Sequence, residues 1–358
     1  MSVDIEEQKP ELPSPAAGAG REGSIIARLK RRFLYGLILG VAVIAAVTLA
    51  SNGPALAGML GRFDWRLMPI VTGLTLANYL LRFGKWQLYL RWLQIGPVST
   101  RMSLGIFFAG FSMAVTPGKV GEFLKAYLLR RATGVPVTRT APIIVAERLT
   151  DGMAMLALAA AGLATVRYGW QLLVVIALGA AAGVFMLQRR PLVLGILGRL
   201  EQLPLLAGRV HPLRAFYEST YLLLKPGNLL LATGIGVVSW SSECLAFALI
   251  LTGLGLPLSW SLLASATFIL ATATIAGAIS MLPGGLGAAE ASIAGLLLLL
   301  VHDPQMTPEL AAAATLLVRF ATLWFGVLLG LIGLITVERH LRHAEEQRDD
   351  LEFAPGSD

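Results

Sequence analysis

Apolar positions along this chain come in long blocks rather than in the one-face stripe of a soluble helix. Apolar runs cover about 33–51, 67–93, 139–165, 170–188, 228–253 and 309–336. Each is about 18 residues or more, long enough to cross a hydrocarbon core of roughly 30 Å. Two further apolar stretches are split by a Pro-Gly pair. One consists of 103–116 and 118–131, broken at Thr116-Pro117-Gly118. The other consists of 259–282 and 285–301, broken at Leu282-Pro283-Gly284-Gly285. Between 189 and 227 apolar residues alternate with charges and with four prolines, which suits helices lying in the interface better than spans. The pattern predicts an all-α membrane protein with about six transmembrane helices plus two Pro-Gly-broken re-entrant hairpins. Helices are favoured because each satisfies its backbone groups internally, which lipid cannot do.

The order of these blocks predicts an inverted-topology repeat. Repeat one, 67–165, runs span, hairpin, span; repeat two, 228–336, does the same. The intervening linker, 166–227, holds one span and the basic loop, so the second triplet begins on the opposite side of the bilayer. The halves of the first hairpin reach only about 21 Å each at 1.5 Å per residue, which favours re-entry. The second pair is longer and fits either a hairpin or two full spans.

Both hairpins carry related sequences, Pro117-Gly118-Lys119-Val120-Gly121-Glu122 and Pro283-Gly284-Gly285-Leu286-Gly287-Ala288-Ala289-Glu290. Proline removes an N–H and glycine accepts unusual dihedrals, so a helix breaks there. Backbone exposed by a break inside a membrane persists only against protein or a wet cavity. A half-helix restarting at Gly118 or Gly284 would aim free N–H groups into that cavity, where a phosphate could bind.

Composition agrees with the membrane reading and narrows the chemistry. Of 358 residues, 56% are hydrophobic and 14% charged, and the mean hydropathy is +0.70; a soluble domain carries about 25% charged residues. Cys244 is the only cysteine, and His211, His302, His340 and His343 lie apart, so no metal cluster is expected. No Gly-Lys-Ser/Thr sequence is present, which argues against ATP drive. No cofactor is expected, and no enzymatic activity.

The net charge of +7 conceals a division. Residues 1–24 hold two basic and five acidic side chains, and residues 344–358 one basic and six acidic. Both ends read as disordered acidic tails flanking a single membrane domain, 25–343. The basic middle suits anionic headgroups rather than nucleic acid. With the N-terminus inside, 17 Lys and Arg fall on the inner side and three on the outer. The chain is therefore expected in the cell (inner) membrane with both termini cytoplasmic.

Ionisable residues within spans cost roughly 2.5–3.5 kcal/mol each on insertion scales and mark functional positions. Here they concentrate in the two triplets: Arg82, Lys85, Lys119, Glu122, Lys125, Glu147, Arg148, Asp151, Glu243, Glu290 and Arg319. Arg82, Lys119, Arg148 and Arg319 are candidate ligands of an anionic headgroup, since guanidinium pairs with phosphate through two N–H groups. Glu122 and Glu290 would hold those arginines or titrate during transport. Buried ion pairs that only tie helices together are the competing reading, an even match for Glu147, Arg148 and Asp151. Arg82 and Lys85 also fit snorkelling, with Trp86 and Trp92 as interfacial aromatics. Lys125 fits the cytoplasmic end of the first hairpin, and Glu243 a helix–helix contact.

Three motifs together carry a family resemblance: Thr116 to Leu129, Ala146-Glu147-Arg148-Leu149-Thr150-Asp151, and Leu282 to Glu290. They resemble the flippase-like membrane region of the lysylphosphatidylglycerol synthases. The resemblance extends over about 30–340 and implies movement of a lipid between leaflets. It places Pro117, Gly118, Gly121, Glu122, Glu147, Arg148, Asp151, Pro283, Gly284, Gly287 and Glu290 on the family's motifs. The chain ends about 20 residues beyond its last span, so neither the aminoacyl-transferase domain of those synthases nor lysyl-lipid synthesis is expected. The expected partner is a membrane lipid, an anionic phospholipid or a lipid-linked intermediate. A homo-oligomer or a separate lipid-modifying enzyme is a further possible partner. A small-solute or ion transporter on the same scaffold is the alternative, as is a non-catalytic partner of a lipid- or glycan-modifying enzyme.

Overall fold

The computed structural model describes residues 53–115, 122–162, 170–202 and 207–352, together with Tyr35, Ile38, Gly40, Val41, Ala42 and Ala45. Most of the expected first span and all of the acidic N-terminal tail lie outside these residues. Every regular element among the described residues is helical.

Helix α1 is Gly53–Arg62, followed by a 3-10 turn Trp65–Leu67 and by α2, Met68–Trp92. The first broken stretch gives α3, Thr100–Ser112, and α4, Leu124–Thr133. Next come α5, Val137–Gly162, and α6, Trp170–Gln188, then the two short helices α7, Arg190–Glu201, and α8, Ala207–Leu223. The second half holds α9, Pro226–Gly253, and α10, Trp260–Ile279, then a 3-10 turn Pro283–Gly285 and α11, Ala288–Leu300. It closes with α12, Pro308–Arg319, a π-helical turn Phe320–Trp324, and α13, Phe325–Glu352.

Local sequence fixes most of these ends. Ser99, Ser259 and Thr307 each accept a backbone N–H three residues on, at 3.1–3.3 Å, capping α3, α10 and α12. Pro226 and Pro308 sit in first turns, where the missing N–H has no partner to lose. Gly134, at φ 73°, ends α4 with its N–H on Arg130 O. Helix α13 runs nine residues into the stretch expected as a disordered tail, because Ala344 to Glu352 is rich in helix-favouring Ala, Glu, Gln and Arg.

Four helical stretches are long and apolar enough to cross a membrane: Pro226–Gly253, Trp260–Ile279, Pro283–Leu300 and Pro308–His343. A fifth is reached if Val174–Gln188 and Arg190–Arg199, bent by 69°, form one span. Helices α2 and α5, of 25 and 26 residues, are long enough but carry the charges described below. By length and composition the described residues thus hold four to five candidate spans of a helical membrane protein, and the first of the six expected lies mostly outside them. The 13 residues of α3 and 10 of α4 are too few to cross.

The helices pack in a definite pattern. Helix α2 lies on α9, α5 on α10, and α3 on α13. Helices α3 and α4 pack together, as do α10 and α11 across the second break. The α3–α13 contact is the closest. A methyl on Gly330 would collide with the Ser112 backbone, and one on Gly333 would lie 2.9 Å from Gly105 O. Small residues allow such approach where no water is released to drive association. At one end of the bundle Arg139 Nη2 donates to Leu93 O at 2.9 Å and Arg131 pairs with Glu338 at 3.2 Å, gathering the basic helix ends. Large apolar side chains face outward, among them Leu230, Val238, Leu299, Ile332 and Trp260, the last 87% exposed.

Candidate functional site

The charges of the first triplet converge on one face of α5. Glu147, Thr150 and Asp151 are three or four residues apart and so share that face. Asp151 receives Lys85 Nζ at 2.5 Å and Arg82 Nη2 at 3.1 Å, with Arg148 Nη2 at 3.7 Å. Thr150 Oγ1 meets Lys85 Nζ at 3.2 Å and the Tyr89 hydroxyl at 2.9 Å. Glu147 pairs with Lys125 of α4. Lys125 also lies 5.1 Å from the Trp86 ring centroid and 5.5 Å from that of Phe107. Arg82 faces the rings of Phe111 and Trp240 at 5.5 and 5.3 Å.

These positions depart from several expectations. Arg82 and Lys85 are 7% and 0% exposed and bound to Asp151, so they do not snorkel. Trp86 is a core residue whose Nε1 donates to Ser103 Oγ at 3.0 Å, not an interfacial aromatic. Lys125, in the first turn of α4, is buried against α5 rather than marking the cytoplasmic end of the first hairpin. Their partners lie 17 to 69 residues away in sequence, beyond the reach of helical spacing.

The second break has its own clamp. Met281, Gly284, Gly285 and Gly287 all have positive φ, so the chain turns sharply between α10 and α11. Helix α11 begins at Ala288, four residues beyond Gly284. Glu290 Oε2 accepts the Gly287 N–H at 2.7 Å, so the protein's own carboxylate occupies the helix start. Glu290 Oε1 accepts from Arg319 Nε at 2.6 Å, and Arg319 Nη2 donates to Gly284 O at 2.8 Å. Pro283 and Gly287 thus shape the turn that presents Gly284 and Glu290 to Arg319. Pro117, Gly118, Lys119 and Gly121 lie outside the described residues. Glu122, just beyond them, meets Arg148 Nε at 3.1 Å. The second break approaches the chain just after α3: a methyl on Gly284 would lie 3.6 Å from Ala114 O.

Between the triplets lies a chamber of about 180 Å³, lined among others by Tyr79, Arg82, Glu122, Arg148, Glu243 and Arg319. Beside it runs a groove of about 510 Å³ with mainly apolar walls, including Val145, Met155, Ile275 and Met281. Glu122, Arg148, Trp240, Thr274 and Ala278 line both. At this junction the buried Trp240 Nε1 has no hydrogen-bond partner among the described residues, and Arg148 Nε has only the Glu122 carboxylate at 3.1 Å, an ion pair not aligned as a hydrogen bond. Glu243, Tyr79 and Trp240 are chamber residues that sequence reasoning did not place. Tyr79 and Trp240 read in sequence as ordinary residues of apolar spans, and Glu243 as a helix–helix contact. Among the described residues, no group of His, Cys, Asp and Glu is placed to hold a metal.

The model of the lysylphosphatidylglycerol synthase transmembrane region matches residues 37–330, covering the first triplet, all but the last six residues of the second, and all the ion pairs of the chamber. A UPF0104 membrane protein of Methanothermobacter thermautotrophicus is 33% identical over 113 residues, which span 31% of this chain and 31% of that relative. The chain belongs to the family of the lysylphosphatidylglycerol synthase transmembrane region.

Proposed function

We propose that this membrane protein moves an anionic phospholipid or lipid-linked intermediate between leaflets, without catalysing its synthesis. The observation that carries the proposal is the joining of a charged chamber to an apolar groove through shared residues. A small polar solute needs only the chamber; an amphipathic lipid uses both. The phosphate would enter beside Arg148 and Trp240, where the guanidinium and the Trp240 Nε1 donor suit phosphodiester oxygens, while one chain lies in the groove. Arg148, 35% exposed, is the most accessible of the five basic side chains.

The contact pattern supports an inverted repeat. An axis exchanging the triplets maps α2 onto α9, α3 onto α10, and α5 onto α12 with α13. The α2–α9 contact then maps onto itself, and α5–α10 onto α13–α3. The clamps correspond as well, Glu122–Arg148 with Glu290–Arg319. On this reading rocking of one triplet against the other alternates access to the chamber. Both termini face the cytoplasm, beside the basic helix ends.

The test uses purified protein in phosphatidylcholine–phosphatidylglycerol vesicles with fluorescent phosphatidylglycerol and a membrane-impermeant quencher. Wild type speeds leaflet exchange. Arg148→Ala and Ala278→Trp, which fills the junction, return it to the protein-free rate while the protein stays monodisperse. Unchanged exchange in both variants overturns the proposal.

A further inference from the structure

Ten ionisable side chains gather around the chamber: Arg82, Lys85, Lys125, Arg148 and Arg319 against Glu122, Glu147, Asp151, Glu243 and Glu290. Four of the carboxylates are ion-paired. Glu243 is not. It is 4% exposed, lines the chamber from α9, and makes no hydrogen bond or ion pair among the described residues. It faces Arg82 and Tyr79 of α2 and Asp151 and Arg148 of α5, with Arg319 from the end of α12. Lys85 stands behind Asp151, and Glu122 and Lys125 line the hairpin side. Helix α10 offers the Thr274 hydroxyl and no ionisable group; Cys244 follows on α9 itself. The 3-10 turn that carries Arg66 packs on α9, and beside it Asp64 N–H donates to Gly253 O, about 15 Å along the helix from Glu243.

With all ten groups ionised the set is neutral. A phosphodiester entering it adds one negative charge beside a carboxylate, in surroundings where unpaired charge is expensive. We infer that Glu243 takes up one proton as the headgroup binds and returns it on the opposite side, coupling lipid movement to a proton gradient. The inference rests on the lipid reading above and adds its energy source. The carboxylate gains a proton from chamber water, and the neutral acid, beside Arg82 and Arg319 that stay paired with Asp151 and Glu290, no longer repels a phosphate held at Arg148. When the lipid departs, the acid gives up its proton and faces both arginines again. One proton and one singly charged phosphodiester move together, so no net charge crosses the membrane. The process responds to a pH difference and not to membrane potential.

Two measurements test this. In the first, proteoliposomes with fluorescent phosphatidylglycerol carry a pH difference, with protein-free vesicles as control. Wild type enriches the lipid in the leaflet facing the alkaline side, toward a limit of about tenfold per pH unit for one proton per lipid. An imposed potassium-diffusion potential leaves that distribution unchanged. In the second, short-chain phosphatidylglycerol is added to detergent-solubilised protein with a pH-sensitive dye. Wild type takes up about one proton per lipid bound, as the neutrality argument requires, and Glu243→Gln none. The Gln variant still binds, because its amide imitates the protonated acid. Proton uptake retained in Glu243→Gln, none in wild type, or loss of lipid binding by the Gln variant overturns the inference. Wild-type exchange indifferent to the gradient overturns it and leaves the lipid reading standing. Wild type that exchanges no lipid overturns both.

Discussion

Arg319 binds the second helix break at two points, donating from Nε to Glu290 at 2.6 Å and from Nη2 to Gly284 O at 2.8 Å. Removing the charge from Glu290 leaves a largely buried guanidinium with one carbonyl for company. Glu290→Gln is expected to lower stability by about 3 kcal/mol. Adding Arg319→Gln recovers part of that loss, since the uncompensated charge is gone. Thermal unfolding of the two single variants and the double variant in detergent reads the coupling directly.

Asp151 compensates three cations and Glu122 one, which ranks the two variants. Asp151→Asn strands Arg82 and Lys85 in the core and is expected to cost about 3–5 kcal/mol. Glu122→Gln, opposite a guanidinium 35% exposed, is expected to cost about 1 kcal/mol or less. Monodispersity on size exclusion after graded heating separates them.

The α3–α13 seam tolerates no added atom. Gly330→Ala drives a methyl into the Ser112 backbone and is expected to destabilise by about 1–3 kcal/mol. Gly73→Ala on α2, where a methyl meets nothing within 4 Å, is expected to stabilise by up to about 1 kcal/mol. Melting temperatures of the pair measured side by side check both signs.

Tyr79 reaches across from α2 to donate to Thr322 O at 2.6 Å, inside the π-helical turn. Tyr79→Phe leaves that carbonyl without its cross-helix donor and is expected to cost about 1–2 kcal/mol. Hydrogen exchange should then quicken at the amides of Phe320–Trp324 and not in α9.

Much of this was legible in the chain. Block hydrophobicity marked α5, α6, α9 and α10 to within a few residues, and Pro283-Gly284 marked the second break. The Glu–Arg clamps were suggested by matched motifs. What spacing does not carry is the partner across a helix interface. Lys125 and Glu122 share a face by count, yet Lys125 binds Glu147 and Glu122 meets Arg148. Lys85 and Arg82 looked free to snorkel because nothing local says that Asp151 lies opposite. Glu243 was visible as a charge in an apolar run, but its lack of a pairing partner is a fact of the tertiary fold.

The π-helical turn after Arg319 amounts to one inserted residue in an otherwise continuous helix. One residue corresponds to about 100° of rotation about the axis. The faces before and after Phe320–Trp324 are therefore out of phase, and a single rod serves two masters. Its first part aims Arg319 at the chamber; its second lays Gly330 and Gly333 against α3. Deleting one residue from the turn would give a more regular helix and a worse protein, because only one of those two surfaces could then face its partner. That irregularity is the phase-setting device by which the lattice of small residues and the clamp of charges coexist on one element.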